Sequence, residues 1–460
     1  ENLRFSTNCK IKLVCARATQ IGERIAALFD RDEGTISALI DELDEVGFED
    51  LDIPKIELMT ESDSKVITLV NRVLLEAHTK GISDIHFEPC MGSAPLRIRY
   101  RKDGICQTVH QVAASYKKAV ISRLKILAKL DISERRRPQT GKIVLRKSSE
   151  LIEYRIEITP TIGGQEDAVL RVLSSVRGIS LDDLGFSASN RQNFKKLLRK
   201  PYGIILCVGP TGSGKTTSLH SALAEINTAD TKIWTAEDPV EITQEGLRQV
   251  QVNPKIGFTF EEALRSFLRA DPDVIMIGEM RDPLTAKTAI GASLTGHLVF
   301  STLHTNNAPE TVVRLIEMGI DPFHCSDALL GILAQRLARR LCTICKEPYH
   351  PDREEYDEYV KAYGAMQFRQ DNMPEFSDKL TLMRKVGCQA CDGQGYNGRI
   401  AIHELLINSP EIKRAIRHCS GVEAITEIAI SQGMRNLRMD GIQKIFQGLT
   451  DLQQVNRVFN

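Results

Sequence analysis

The sequence predicts an α/β protein whose larger part is a parallel sheet covered by helices on both faces, preceded by a smaller α+β domain. Three observations predict it. From about residue 190, four short apolar and β-branched runs, GIILCVG, KIWTAED, VIMIGE and HLVFSTLHT, alternate with helical stretches, the pattern of strands buried on both sides. GPTGSGKTT, residues 209–217, follows the first of these runs and opens the helix SLHSALAEI, the strand–loop–helix setting of a phosphate-binding loop. Between about residues 64 and 178 the rhythm differs, with strands LRIRYRKDG and IEYRIEIT placed around the helix AVISRLKILAKLDI.

The elements follow in chain order. At 460 residues the chain exceeds one ordinary core, so two or three domains are expected. Residues 1–32 read as a strand, KIKLVCA, and a helix, IGERIAALFD. That is too little to close a fold and reads as the remnant of a truncated N-terminal domain. Residues 33–63, including DELDEVGFEDLDIPKIELMTESD, form an acidic linker in which like charges favour extension. The α+β domain, 64–178, opens on a helix with Val66, Ile67, Val70, Val73 and Leu74 at helical spacing and Gly81 as its C-cap. A hinge, 179–189, lies in RGISLDDLGFS, and the domain built on the parallel sheet spans 190–460. Within it VIMIGE is expected beside the phosphate-loop strand. A polar insert with two cysteine pairs, 341–399, precedes the terminal helices, 408–460.

Composition narrows the function. Lys+Arg and Asp+Glu are both 60, so global charge offers no case for a nucleic-acid partner. No apolar run approaches the ~18 residues of a membrane span. The 11 cysteines do not read as a disulfide framework; most stand singly as small core residues, which favours a reducing, cytoplasmic setting.

The chemistry is concentrated in a few stretches. In residues 209–217 (Gly209, Pro210, Thr211, Gly212, Ser213, Gly214, Lys215, Thr216, Thr217), the glycines let backbone N–H groups and the helix N-terminus face the phosphates of a nucleotide. Lys215 reaches the β- and γ-phosphates, and the Thr216 hydroxyl coordinates magnesium. VIMI ends in Gly278-Glu279, where an aspartate is common in phosphate-binding enzymes. Glu279 at the strand end could act as base or orienter for the attacking water. In TAEDPVE, Glu237 or Asp238 could reach magnesium through water, or the cluster is a solvated turn before Pro239. His297 and His304 flank the strand LVFSTL; they are structural, or they sense the γ-phosphate from the sheet end. CTIC and CQAC place Cys342, Cys345, Cys388 and Cys391 as four thiolates suited to tetrahedral structural zinc, or as redox or incidental cysteines.

These pieces, in this order, resemble a known family. GPTGSGKTT, TAEDPVE, LRADPDVIMIGEMRD and TGHLVFSTLHT look like the Walker A, aspartate box, Walker B and histidine box of the secretion ATPases, the motors of type II secretion and type IV pilus assembly. The likeness continues in SDIHFEP, KILAKLDISERRRPQTGK, VLRVL, AQRLARRLCTIC and GYNGRIAIHELL, and KIKLVCARATQIGERIAALF is similar to the end of the family's adaptor domain. The resemblance implies a RecA-like ATPase domain with a zinc-binding insert after a PAS-like α+β domain. It implies Glu279 as catalytic acid, with Lys215, Thr216, Glu237, His297 and His304 carried over by position. It also implies two arginines that approach the γ-phosphate, here Arg155 in IEYRIEIT and Arg171 in VLRVL. ERRRPQTGK departs from the family with Thr140 and Lys142 where aspartate and arginine are common, and ITPTIGGQEDAVL is one residue longer than the usual form. The four-cysteine element is a feature of pilus-assembly and type II secretion motors and is lacking in pilus-retraction motors. Implied cofactors are ATP, Mg2+ and Zn2+. Implied partners are a homo-hexamer, an inner-membrane platform protein with its adaptor, and indirectly the pilin or pseudopilin machinery, with the chain cytoplasmic and peripheral at the inner membrane. Two other classes stay open: a nucleic-acid-translocating motor and a non-hydrolysing, nucleotide-gated scaffold.

Overall fold

The computed structural model describes residues 61–147, 150–173 and 180–459. The expected remnant 1–32 and the acidic linker up to residue 60 lie outside the described residues. The chain divides into two units, Glu1–Ser174 and Ser175–Asn460.

In the first unit the helix Glu61–Thr79 buries Val66, Leu69, Val70, Val73, Leu74 and Ala77, the apolar stripe expected of a core-facing helix. It packs with the helix Lys117–Leu127 on one face of a six-stranded sheet. The strands are β1 (Asp84–Pro89), β2 (Leu96–Lys102), β3 (Ile105–Val112), β4 (Gln139–Lys147), β5 (Glu150–Thr161) and β6 (Gln165–Leu173), in the order β3-β2-β1-β6-β5-β4. Every neighbouring pair is antiparallel. Strand alternation separates the two faces. In β2, Leu96, Ile98 and Tyr100 are buried in the core, and Arg97, Arg99 and Arg101 lie on the opposite, polar face.

The second unit is built on seven strands: β7 (Gly203–Val208), β8 (Ile233–Glu237), β9 (Leu247–Gln251), β10 (Val274–Ile277), β11 (Leu298–Leu303), β12 (Leu329–Leu341) and, after the insert, β15 (Tyr396–Ile407). Their order is β15-β12-β7-β11-β10-β8-β9, parallel throughout except for the antiparallel pair β12/β15. This corrects the expectation that VIMIGE lies beside the phosphate-loop strand. The connection after β7 skips two places to β8, and β10 and β11 return to fill the gap. β7 therefore pairs with β11, from Leu298↔Gly203 to Leu303↔Val208, and β10 stands one strand further out.

Two strands were not foreseen. LLGILAQRLARRL and YNGRIAIHELLI form β12 and β15, although leucine, alanine and arginine favour helix. Pairing with β7 on one side and with each other overrides that local preference. The insert contains β13 (Glu347–Tyr349) and β14 (Leu382–Arg384), and the helix Arg353–Tyr363 buries Tyr356, Tyr359 and Tyr363. Tyr359 meets Phe446 of the helix Leu437–Phe446 edge-on, with ring centroids 5.7 Å apart, so the insert is tied to the terminal helices. Among the described residues no helix is long and apolar enough to cross a membrane.

Candidate active site

β7 is buried at every residue and delivers the chain to the loop 209–214 and then to the helix Lys215–Ile226. Gly209 and Gly214 take φ of +146° and +89°, and a Cβ at either would run into Gln335, so glycine is required at both. Pro210, Thr211 and Gly212 form an exposed lip, with Ser213 buried beneath it and Thr216 and Thr217 partly buried at the helix start. The Lys215 ammonium donates to the carbonyls of Gly209 at 2.8 Å and Pro210 at 2.9 Å. Burial lowers its pKa below the usual lysine value, and the negative charge of Glu279 works in the opposite direction. This is a backbone cradle for phosphate, of the kind a helix N-terminus and successive N–H groups provide.

Gln335 of β12 holds the loop from below. Its amide donates to the Ser213 carbonyl at 2.8 Å, and its oxygen accepts from the Ser218 hydroxyl at 2.6 Å. Sequence reasoning did not single it out; its only signal was a lone amide between the apolar run LLGILA and the arginine-rich RLARRL. Beside it, Arg336 donates to the Asn306 side-chain oxygen at 3.0 Å, linking β12 to the segment after His304.

β10 ends at the same edge of the sheet. Gly278 donates to the Ala236 carbonyl at 2.8 Å, and Met280 donates to Thr302 at 3.0 Å. The Thr302 hydroxyl donates to the Gly278 carbonyl at 2.7 Å. Glu279, 13% exposed, lies 2.6 Å from Arg281 through one oxygen and 3.5 Å from His304 Nε2 through the other. Asp282 of the same motif caps the helix Pro283–Leu294, accepting from Leu284 and Thr285.

The two histidines do not share this edge, which corrects the reading that both could sense the γ-phosphate from the sheet end. The His297 carbonyl accepts from Gly203 at 3.1 Å, at the start of β7, and its ring lies 3.0 Å from the Ala292 carbonyl. Six strand residues separate it from His304, on the order of 20 Å at ~3.3 Å per residue. Only His304 stands with Glu279.

Glu237, at the end of β8, is 3% exposed. It accepts from the Thr235 hydroxyl at 2.7 Å, the Gln249 amide at 3.0 Å and His220 Nε2 at 3.2 Å. Burial alone would raise its pKa; the bonds from His220, Gln249 and Thr235 outweigh burial and lower it. His220, one turn into the helix after the phosphate loop, was not identified from the sequence, where SLHSALAEI read only as the helix that the loop opens. Asp238 is exposed. The Thr216 hydroxyl at the helix start offers a hard oxygen of the kind magnesium takes, whereas both Glu237 oxygens are already engaged by protein donors.

Arg155 and Arg171 belong to the first unit. They are Cα partners on β5 and β6, and both are exposed. Like charges directly opposite each other disfavour a sheet, so this pairing is suited to meeting an anion.

The four cysteines come together. Their sulfurs all lie within 4.8 Å of one another, with 4.0 Å between Cys342 and Cys388 and 3.8 Å for both Cys345–Cys391 and Cys388–Cys391. A tetrahedron with arms of about 2.3 Å has edges of about 3.8 Å, so the cluster is compatible with zinc. Backbone N–H groups of Gly387, Cys388 and Gly395 point at the sulfurs of Cys345 and Cys391 at 3.1–3.3 Å. Burial would raise the Cys391 thiol, but the amides of Cys388 and Gly395 bring it down to about 6.

A phosphate cradle with a buried lysine, an acid at the end of another strand of the same sheet, and that sheet's parallel order define a P-loop ATPase. Comparison with known proteins assigns it further. The family model described as Type II/IV secretion system protein matches residues 59–457, and the chain belongs to that family. It is 41% identical to the type IV pilus assembly ATPase PilB of Myxococcus xanthus over 99% of this chain and 79% of that protein. It is 40% identical to the type II secretion system ATPase E of Vibrio cholerae over 97% of this chain and 87% of that one. The fold is shared with the ATPase DotB of Legionella pneumophila, with a TM-score of 0.63, 20% identity, and 85% and 95% of the two chains covered. It is also shared with the pilus retraction motor PilT, with a TM-score of 0.58, 24% identity, and 84% and 96% covered.

Proposed function

We propose that this ATPase powers the assembly of type IV pili or of type II secretion pseudopili. Its relatives by sequence are ATPases of those two systems. The observation that carries the catalytic reading is Glu279 beside His304 at the strand end, on the sheet that presents Lys215 in its phosphate loop. ATP binds with its phosphates over residues 209–217, held by loop N–H groups and Lys215. When bound, magnesium would be held by the Thr216 hydroxyl, with Glu237 helping through water, and would neutralise charge on the phosphates. Glu279 orients the attacking water and takes its proton. Arg155 and Arg171 approach the γ-phosphate, offset the developing charge and couple hydrolysis to closure of the first unit. Zinc in the Cys342, Cys345, Cys388 and Cys391 cluster is structural, since four protein sulfurs leave no open position.

The working form in this reading is a homo-hexamer at the inner membrane. Rotation of one domain against the other is passed to a platform protein, which lifts pilin or pseudopilin subunits. The domain boundaries that go with it are a linker ending near residue 63, a first domain 64–178, a hinge 179–189 and a motor domain 190–460.

Glu279→Gln tests the catalytic assignment. Measured on the purified assembly, hydrolysis should fall by about 10²-fold or more, with ATP still bound. A variant as fast as the parent overturns the role of Glu279. A parent ring that binds ATP without hydrolysing it supports a scaffold, and a rate raised by DNA supports a nucleic-acid motor.

A further inference from the structure

One cross-strand row runs over the polar face of the six-stranded sheet. Arg101 of β2, Asp84 of β1, Arg171 of β6, Arg155 of β5 and Lys142 of β4 are successive Cα partners. Within this row Asp84 is the only anion. Its side chain is 11% exposed, against 59% for Arg171. Asp84 Oδ1 accepts from Arg171 Nε at 3.1 Å. Oδ2 lies 2.9 Å from the Ser83 hydroxyl and 3.8 Å from Arg101 Nε. The carboxylate is thus anchored on one side by the serine that precedes its strand and engages Arg171 on the other.

The choice of nitrogen has a chemical consequence. A guanidinium is a rigid planar fork of five N–H donors. A bond made through Nε leaves the two terminal nitrogens for a second acceptor. Arg155, directly beside Arg171, has no carboxylate partner among the described residues, so Asp84 also offsets the repulsion between two neighbouring cations.

We propose that Asp84 is a positioning residue for ATP hydrolysis. Through Nε it holds the Arg171 guanidinium with its terminal N–H groups ready for the γ-phosphate. This rests on the reading of Arg171 as a γ-phosphate arginine. Pre-setting that group removes the need to order a long, exposed side chain during the reaction.

A mutant cycle on the full chain, read by steady-state ATPase kinetics, tests the proposal. Arg171→Ala should lower kcat. Asp84→Ala should lower kcat about tenfold with KM for ATP changed less than about threefold. Asp84→Asn should fall between Asp84→Ala and the parent, because its amide oxygen still accepts from Nε. Asp84→Ala should add nothing in the Arg171→Ala background, yet keep its full effect beside Arg155→Ala. If Arg171→Ala is as active as the parent, the reading of Arg171 falls and the role of Asp84 with it. If Arg171→Ala is impaired and both Asp84 variants are not, only the positioning inference is overturned. An Asp84 effect that persists undiminished without Arg171 also overturns it, by showing that Asp84 acts through the fold. Should Asp84→Ala not fold, the near-isosteric Asp84→Asn carries the same cycle.

Discussion

Replacing Gln335 by methionine keeps the side chain's length and removes both of its bonds to the phosphate loop and its helix. Gln335 is 2% exposed and Ser218 fully buried, so water does not take over. The Ser213 carbonyl and the Ser218 hydroxyl each lose a partner at 2.8 and 2.6 Å. An orphaned buried polar group costs about 1–3 kcal/mol. The hydroxyl can turn to a carbonyl one turn back in its own helix, so the carbonyl of Ser213 dominates and the sum is about 2 kcal/mol. For a unit of this size that lowers the unfolding midpoint by about 5 °C. Function should suffer more, since a loop displaced by about 1 Å can cost on the order of 10² in rate. Thermal unfolding followed by circular dichroism and ATPase kinetics measure the two effects. Gln335→Glu should be worse than Gln335→Met, because a carboxylate facing the Ser213 carbonyl repels it. A Gln335→Met protein that unfolds within about 1 °C of the parent and hydrolyses ATP at the parental rate would refute the idea that Gln335 shapes the loop.

Stability should depend on pH through His403, which is fully buried, stacked on Phe186 at 4.1 Å and near Lys444. Burial first, and then the Lys444 charge, holds its pKa well below the usual 6.5. The unfolded chain therefore takes up the proton first, so stability is full above about pH 6.5 and falls below it, by up to ~1.4 kcal/mol per pH unit. Glu404 acts in the opposite direction: burial raises it to about 6 against partial compensation from the amides of Ala308 and Leu437, so its contribution is lost as pH rises from 4.5 through 6. His403→Phe keeps the ring stack and removes only the first effect, and should gain on the parent in urea melts from pH 7 to 5; a constant gap between the two proteins would count against it. Metal analysis should find one zinc per chain, and chelation or Cys391→Ser should release it and loosen the insert without abolishing ATP binding. Freshly prepared, reduced protein without zinc would exclude the metal.

What the sequence made legible followed from how local each signal is. The phosphate loop is nine consecutive residues whose glycines serve backbone geometry within the loop itself, and the cysteine pairs announce themselves by spacing. Strand β10 was legible as a strand, but its place in the sheet was not, because strand order depends on where the crossover after β7 lands. β12 and β15 were hidden because their residues favour helix and their pairing joins Gly331 to Ile407 and Arg339 to Arg399, far apart in the chain. Gln335 was hidden for the same reason: it reaches Ser213 across 122 positions. His297 and His304 looked equivalent because both border one strand; only the register with β7 shows which end carries the chemistry.

The glycine at the end of β10 follows from the same geometry. A Cβ on Gly278 would lie 3.2 Å from the Ala236 carbonyl and 3.4 Å from the Phe260 ring, closer than β8 and the helix after β9 accept without moving. Both backbone groups of Gly278 are also used, its N–H by Ala236 and its carbonyl by the Thr302 hydroxyl. Any side chain at this point would need β8 to give by a few tenths of an ångström. The acid instead comes one residue later, where Glu279 leaves the strand and meets His304 and Arg281. Its neighbour in the sheet, Glu237, is held by three donors and is poorly free to change partner. The two carboxylates thus differ in mobility, with Glu237 fixed and Glu279 tied to a cation that is 73% exposed and therefore weakly held. That difference suits Glu279, the more easily released of the two, to the step that must follow the water through the reaction.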